Sequence, residues 1–227
     1  VASEEPREGW SFASLAAVPF MIRHLGADDY GYYITVSAII FIIGGATEAG
    51  LTNLGIREYS VLDGPARNHF LANLVGLRFV LTTAGVLIAA AITLTTGADP
   101  VIVTGVLITG LGLLISLTQQ AYMVPLTAQL RLGSVTALEV LKQATLSAFI
   151  ILFVLVGAGL IAFFWASVIA YTAMFLMTLV LVRRHASLRP AFDWPVWRKV
   201  LRDVVPYGAA AAVGLIYFRI AVILMSY

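Results

Sequence analysis

Apolar residues in this chain come in blocks separated by short polar gaps. A block of roughly 20 residues matches the hydrocarbon thickness of a bilayer at a rise of about 1.5 Å per helical residue. The pattern predicts seven transmembrane helices, over Ser11–Ile22, Tyr32–Ile56, Phe70–Thr95, Val101–Leu126, Val135–Val156, Leu160–Val182 and Val204–Tyr227. The first reaches only about 18 Å and follows the charged run Glu4, Glu5, Arg7 and Glu8. Part of that helix is therefore expected to be missing before Ser11. The alternative, a signal peptide, would need a basic start that this acidic one does not supply.

Composition agrees with the pattern. Hydrophobic residues make up 60% and charged residues 11% of the chain, where a soluble domain carries about 25% charge. The expected fold class is all-α, a polytopic transmembrane helix bundle. With no cysteine, a disulfide framework, a thiolate nucleophile and a Cys-ligated zinc are excluded. His24, His69 and His185 fall at separate helix ends, so neither a metal site nor a cofactor is expected. There is no HExxH and no Walker-type loop, and Gly110–Gly112 and Gly157–Gly159 lie within or between apolar helices with no strand before them. An enzyme is not expected, and neither is a nucleic-acid partner.

Charge placement says more than the formal total of +2. The second, fourth and sixth connections hold Arg57 and Arg67, then Arg131, then Arg183, Arg184, Arg189, Arg198, Lys199 and Arg202. The others hold Arg23 with Asp28 and Asp29, then Asp99, then no charge. Basic short loops stay in the cytoplasm, which predicts a cytoplasmic N-terminus in a multi-pass protein of the cell membrane. The sixth connection also carries Pro190, Trp194, Pro195 and Trp197. It reads either as an amphipathic segment on the inner leaflet, with membrane lipids as partners, or as an ordinary positive-inside loop.

Ionisable residues inside a span cost at least about 2.5–3.5 kcal/mol on insertion scales, so each invites a functional hypothesis. Glu48 is expected near the midplane of the second helix. Ser37, Gly44, Glu48, Thr52 and Gly55 share one helical face there, a polar stripe facing a cavity or a neighbouring helix. Thr52 and Asn53 join Glu48 as candidate binding residues. Arg219, deep in the seventh helix, either faces an interior or snorkels to the outer surface. Arg78 is expected to reach the cytoplasmic headgroups with Arg67 and His69. Glu139 and Lys142 read as an intrahelical pair near the interface.

The run RHLGADDYG at Arg23–Gly31, followed by GATEAGLTNLGIREYS, resembles the oligosaccharide-lipid flippases of the multidrug/oligosaccharidyl-lipid/polysaccharide exporter superfamily. The positions concerned are Arg23, Leu25, Gly26, Tyr30, Gly31, Gly50, Leu51 and Arg57. The last helix, VVPYGAAAAVGLIYFRIAVILMSY, is similar to the start of that family's second lobe at Pro206, Gly208, Tyr217, Phe218, Arg219, Ile220 and Ser226, with Ala221 in place of the usual Asp.

The resemblance implies a six-helix N-terminal lobe over 1–186, a cytoplasmic amphipathic connection over 187–203, and the start of a second lobe over 204–227. It implies flipping of a polyprenyl-pyrophosphate-linked oligosaccharide, or a similar anionic glycolipid, from inner to outer leaflet for cell-envelope polysaccharide synthesis. Glu48, Thr52, Asn53, Arg78 and Arg219 would then touch substrate, with glycan-polymerising membrane proteins as partners. Two other functions stay open. One is a multidrug or metabolite antiporter coupled to a proton or sodium ion; the other is a non-transporting scaffold subunit.

Overall fold

A computed structural model describes the backbone of residues 6–130, 132–183 and 190–206, and side chains in those segments from residue 21 onward except residue 132. Within them the chain is all-α. The helices are α1 (Pro6–Glu48), α2 (Leu51–Val61), α3 (Gly64–Thr95), α4 (Pro100–Ala128), α5 (Leu132–Val156) and α6 (Leu160–Val182). A further helix, α7, covers 194–206. Five stretches among the described residues are long and apolar enough to cross a membrane: Met21–Val61, Gly64–Thr95, Pro100–Ala128, Gly133–Val156 and Leu160–Val182. The remainder of the expected seventh helix, with Arg219, lies outside the described residues.

The expected loop between the first two helices is absent. Residues 27–31 are helical, and the only break in α1 is Gly26, with φ 79° and ψ 178°, a conformation open to glycine because it lacks a Cβ. The acidic and tyrosine-rich residues after Gly26 look like a connection in sequence, yet none of them breaks a helix. The expected second helix is itself interrupted. Ala49 (φ 33°) and Gly50 (φ 88°) separate α1 from α2.

Helix ends follow local chemistry. Asp99 accepts a hydrogen bond at 2.9 Å from Val101 N at the start of α4, with Pro100 behind it, the arrangement that satisfies an orphan amide at no cost in ladder bonds. Asp99 Oδ2 also accepts from Tyr32 Oη at 3.0 Å, and His24 Nε2 lies 2.9 Å from Ala158 O. These bonds gather the part of α1 around Gly26 and the third and fifth connections at one end, which carries Asp28, Asp29 and Asp99 with Arg23. The other end carries Arg57, Arg67, Arg183, Arg198, Lys199 and Arg202.

Central to the bundle is α4, which packs against each of α1, α2, α3, α5 and α6. Its glycines explain why. A Cβ on Gly105 would stand 2.8 Å from both Phe164 and Val36, and one on Gly110 would stand 2.5 Å from Val86. Bare backbone at these points lets α1, α3 and α6 approach closely, the usual device where apolar side chains gain nothing from leaving lipid. Buried Gln119 adds a polar tie, donating to Thr178 Oγ1 on α6 at 2.9 Å.

Candidate functional site: a broken helix, a buried ion pair and a cleft

Where α1 stops, Glu48 Oε1 accepts from Thr52 N at 3.0 Å, so a carboxylate at the end of one helix caps the first turn of the next. Negative charge is favoured there, because the first amides of α2 have no helical acceptor. The other oxygen, Oε2, lies 2.6 Å from Arg78 Nη2 on α3. That nitrogen also donates to Thr52 Oγ1 at 2.6 Å, and Nη1 donates to Leu117 O on α4 at 3.1 Å. One guanidinium thus ties α1, α2, α3 and α4 together.

Arg78 is 1% exposed, which corrects the expectation that it snorkels to the headgroups. Snorkelling serves an arginine with no partner, whereas here the Glu48 carboxylate, a hydroxyl and a carbonyl replace water. Residues 70–78 of α3 are all buried, so the protein encloses Arg78 together with its neighbours along the helix.

From Glu48 a cleft of about 470 Å³ runs between α1, α4, α5 and α6. Glu48 closes its basic end, and Tyr33 stands toward the acidic end. Ser37, Thr109, Gln120, Ser167 and Tyr171 supply hydroxyl and amide groups, and Ile40, Phe41, Leu113, Leu117 and Leu146 supply apolar surface. Gly44 and Gly45 leave the α1 wall open; a Cβ on Gly45 would meet nothing within 4 Å. Glu48 is the only charged residue in the lining.

The candidate residues therefore divide. Glu48, Thr52 and Arg78 form one cluster, and only Glu48 of the three lines the cleft. Asn53 is exposed on α2 and joins neither. Arg219 lies outside the described residues. Sequence reasoning passed over Gln120, Tyr33 and Tyr171; adjacent glutamines at 119 and 120 inside an apolar helix were the available signal. Among the described residues no group of His, Asp and Glu could hold a metal ion.

A second polar hub was also passed over. Asn73 is fully buried on α3. Its Oδ1 accepts from Asp193 N at 2.8 Å, its carbonyl accepts from Trp197 Nε1 at 3.1 Å, and Ala191 N donates to Ala72 O at 2.9 Å. His69 and Asp193 pair at 3.0 Å beside it. The sixth connection is thus strapped to α3 from residue 191, and α7 runs unbroken past residue 203.

No protein-family model, curated protein or solved structure matches this chain. Fold and site together define a multi-pass α-helical membrane protein with an amphiphilic cleft inside its bundle.

Proposed function

We propose that this chain forms one lobe of a transporter that flips a lipid-linked oligosaccharide, or a similar anionic glycolipid, between leaflets. The observation that carries the reading is the cleft. Its lining runs from Tyr33 to Glu48 along α1, pairs hydroxyl and amide groups with apolar surface, and borders a broken helix. A headgroup crossing hydrocarbon needs hydrogen-bonding partners in place of water. Irregular backbone at membrane depth is tolerated where it lines a cavity or is buried in protein, and interrupted helices commonly mark transport sites.

In this reading the basic end faces the cytoplasm, as basic loops do, and a second lobe completes the site. Arg78 acts as a positioning residue that holds Glu48 and the α1–α2 break, and phosphate charge is met elsewhere. The cation-coupled antiporter fits less well, because Glu48 is already neutralised by Arg78 and a coupling ion would have to displace a guanidinium. The scaffold reading gives the cleft no role.

The test is translocation of a fluorescent polyprenyl-diphosphate oligosaccharide in proteoliposomes holding the full-length protein. Faster loss of outer-leaflet label than in protein-free vesicles is expected. Gly45→Leu should fill the cleft, keep the thermal stability of the parent and abolish the acceleration. Translocation no faster than in empty vesicles, or undiminished by Gly45→Leu, would refute the proposal.

A further inference from the structure

Helix α7 has two faces. Trp197, Val200 and Val204, spaced at helical intervals, turn inward; Val200 and Val204 are buried, and Trp197 is hydrogen-bonded to α3. Trp194, Arg198, Arg202 and Val205 share another face and are all exposed, whereas Lys199 lines a pocket with Glu58 and Asp203. Trp194 and Val205 are each 66% exposed, and Phe192, just before the helix, is 63% exposed. The acids of the segment lie elsewhere. Asp193 is held by His69 and Asn73, and Asp203 lines a pocket between α2, α3 and α7. Among the described residues no carboxylate pairs with Arg198, Lys199 or Arg202.

The strap holds α7 in place. Ala72, Asn73 and Gly76 of α3 hold the segment, at the end of the bundle that also carries Arg57, Arg67 and Arg183. A docked helix that shows two arginines and an aromatic side chain at this end complements anionic headgroups in charge and their acyl boundary in apolar surface. The strap matters because a free amphipathic segment would lose ordering entropy on binding, whereas this face is held before lipid arrives.

We infer that the exposed face of α7, built on Trp194, Arg198 and Arg202, is a fixed binding surface for anionic phospholipid headgroups of the adjacent leaflet. The inference does not depend on the flippase reading. Its test uses the full-length protein in nanodiscs of phosphatidylcholine with phosphatidylglycerol, followed by native mass spectrometry of the lipids it retains. Each basic residue near a membrane surface strengthens anionic binding by about fivefold to tenfold, so Arg198→Gln with Arg202→Gln should cut phosphatidylglycerol retention more than tenfold and leave phosphatidylcholine retention unchanged. Both side chains are exposed, so the fold should persist. Trp194 fluorescence, isolated as the difference from Trp194→Phe, should be quenched by lipids brominated near the headgroup end of the chain. Equal phosphatidylglycerol retention by parent and double variant would overturn the inference, as would unquenched Trp194; the latter would leave this face to a protein partner.

Discussion

Helices α3 and α5 have nearly the same hydropathy, 2.0 and 1.9 over their most apolar stretches, yet 39% of that stretch is buried in α3 and 0% in α5. Apolar content therefore predicts that both cross a membrane and says nothing about which is enclosed by protein. In lipid, leucine gains little by moving from acyl chains to a helix interface, so burial follows small residues and polar pairs. Gly76 and Gly85 supply α3 with the first, and Asn73 and Arg78 with the second. On α5 the charged groups are Glu139 and Lys142, which pair with each other three residues apart at a partly exposed position.

The largest expected effect tests the polar side of this contrast. Arg78→Met should lower stability in detergent by about 3 kcal/mol, because it leaves the half-buried Glu48 carboxylate, with its enclosed Oε2, without its cation. Adding Glu48→Gln should restore much of that loss, since removing both charges of a buried pair is far less costly than removing one. Lys142→Met on α5 should cost under about 1 kcal/mol. Chemical or thermal unfolding followed by intrinsic fluorescence checks all three, and equal losses at Arg78 and Lys142 would erase the distinction.

The small-residue side is next in size. A Cβ on Gly76 would stand 2.2 Å from the Ala191 carbonyl, whereas one on Gly133 of α5 meets nothing within 4 Å. Gly76→Ala should cost about 1–3 kcal/mol through forced backbone movement and raise deuterium uptake in 190–206. Gly133→Ala should leave both unchanged. A milder version is Asn73→Ala, which should loosen the same segment by removing one side-chain hydrogen bond, at a cost of about 1 kcal/mol.

Much of the bundle was legible in the sequence for a simple physical reason. A bilayer fixes the length of apolar helices, so Leu160–Val182 was delimited to the residue and α4 and α5 to within three residues. Illegible were features set by partners. The run after Gly26 reads as a loop because Asp28 and Asp29 are polar, but polar residues at a membrane edge are content in a helix. Arg78 reads as a snorkelling residue because its spacing from Arg67 suits one, and only the meeting of three other elements shows that it is enclosed. Asn73 gives no signal alone, since its partners lie some 120 positions away. The Ala49–Gly50 break carried a hint in its glycine, yet the stripe through Glu48 and Thr52 reads equally well as one unbroken helix.

Transport by this bundle requires that water reach the amphiphilic cleft between α1, α4, α5 and α6. The chain has no native cysteine, so single cysteines report cleanly. Ser37→Cys and Gln120→Cys sit in the cleft lining, and Ile42→Cys and Leu152→Cys sit on exposed apolar surface of α1 and α5. In native membranes a small, charged, water-soluble thiol reagent should modify the first two and spare the second two, because thiolate forms where water reaches it. Protection of Ser37→Cys and Gln120→Cys equal to that of Ile42→Cys and Leu152→Cys would contradict the account.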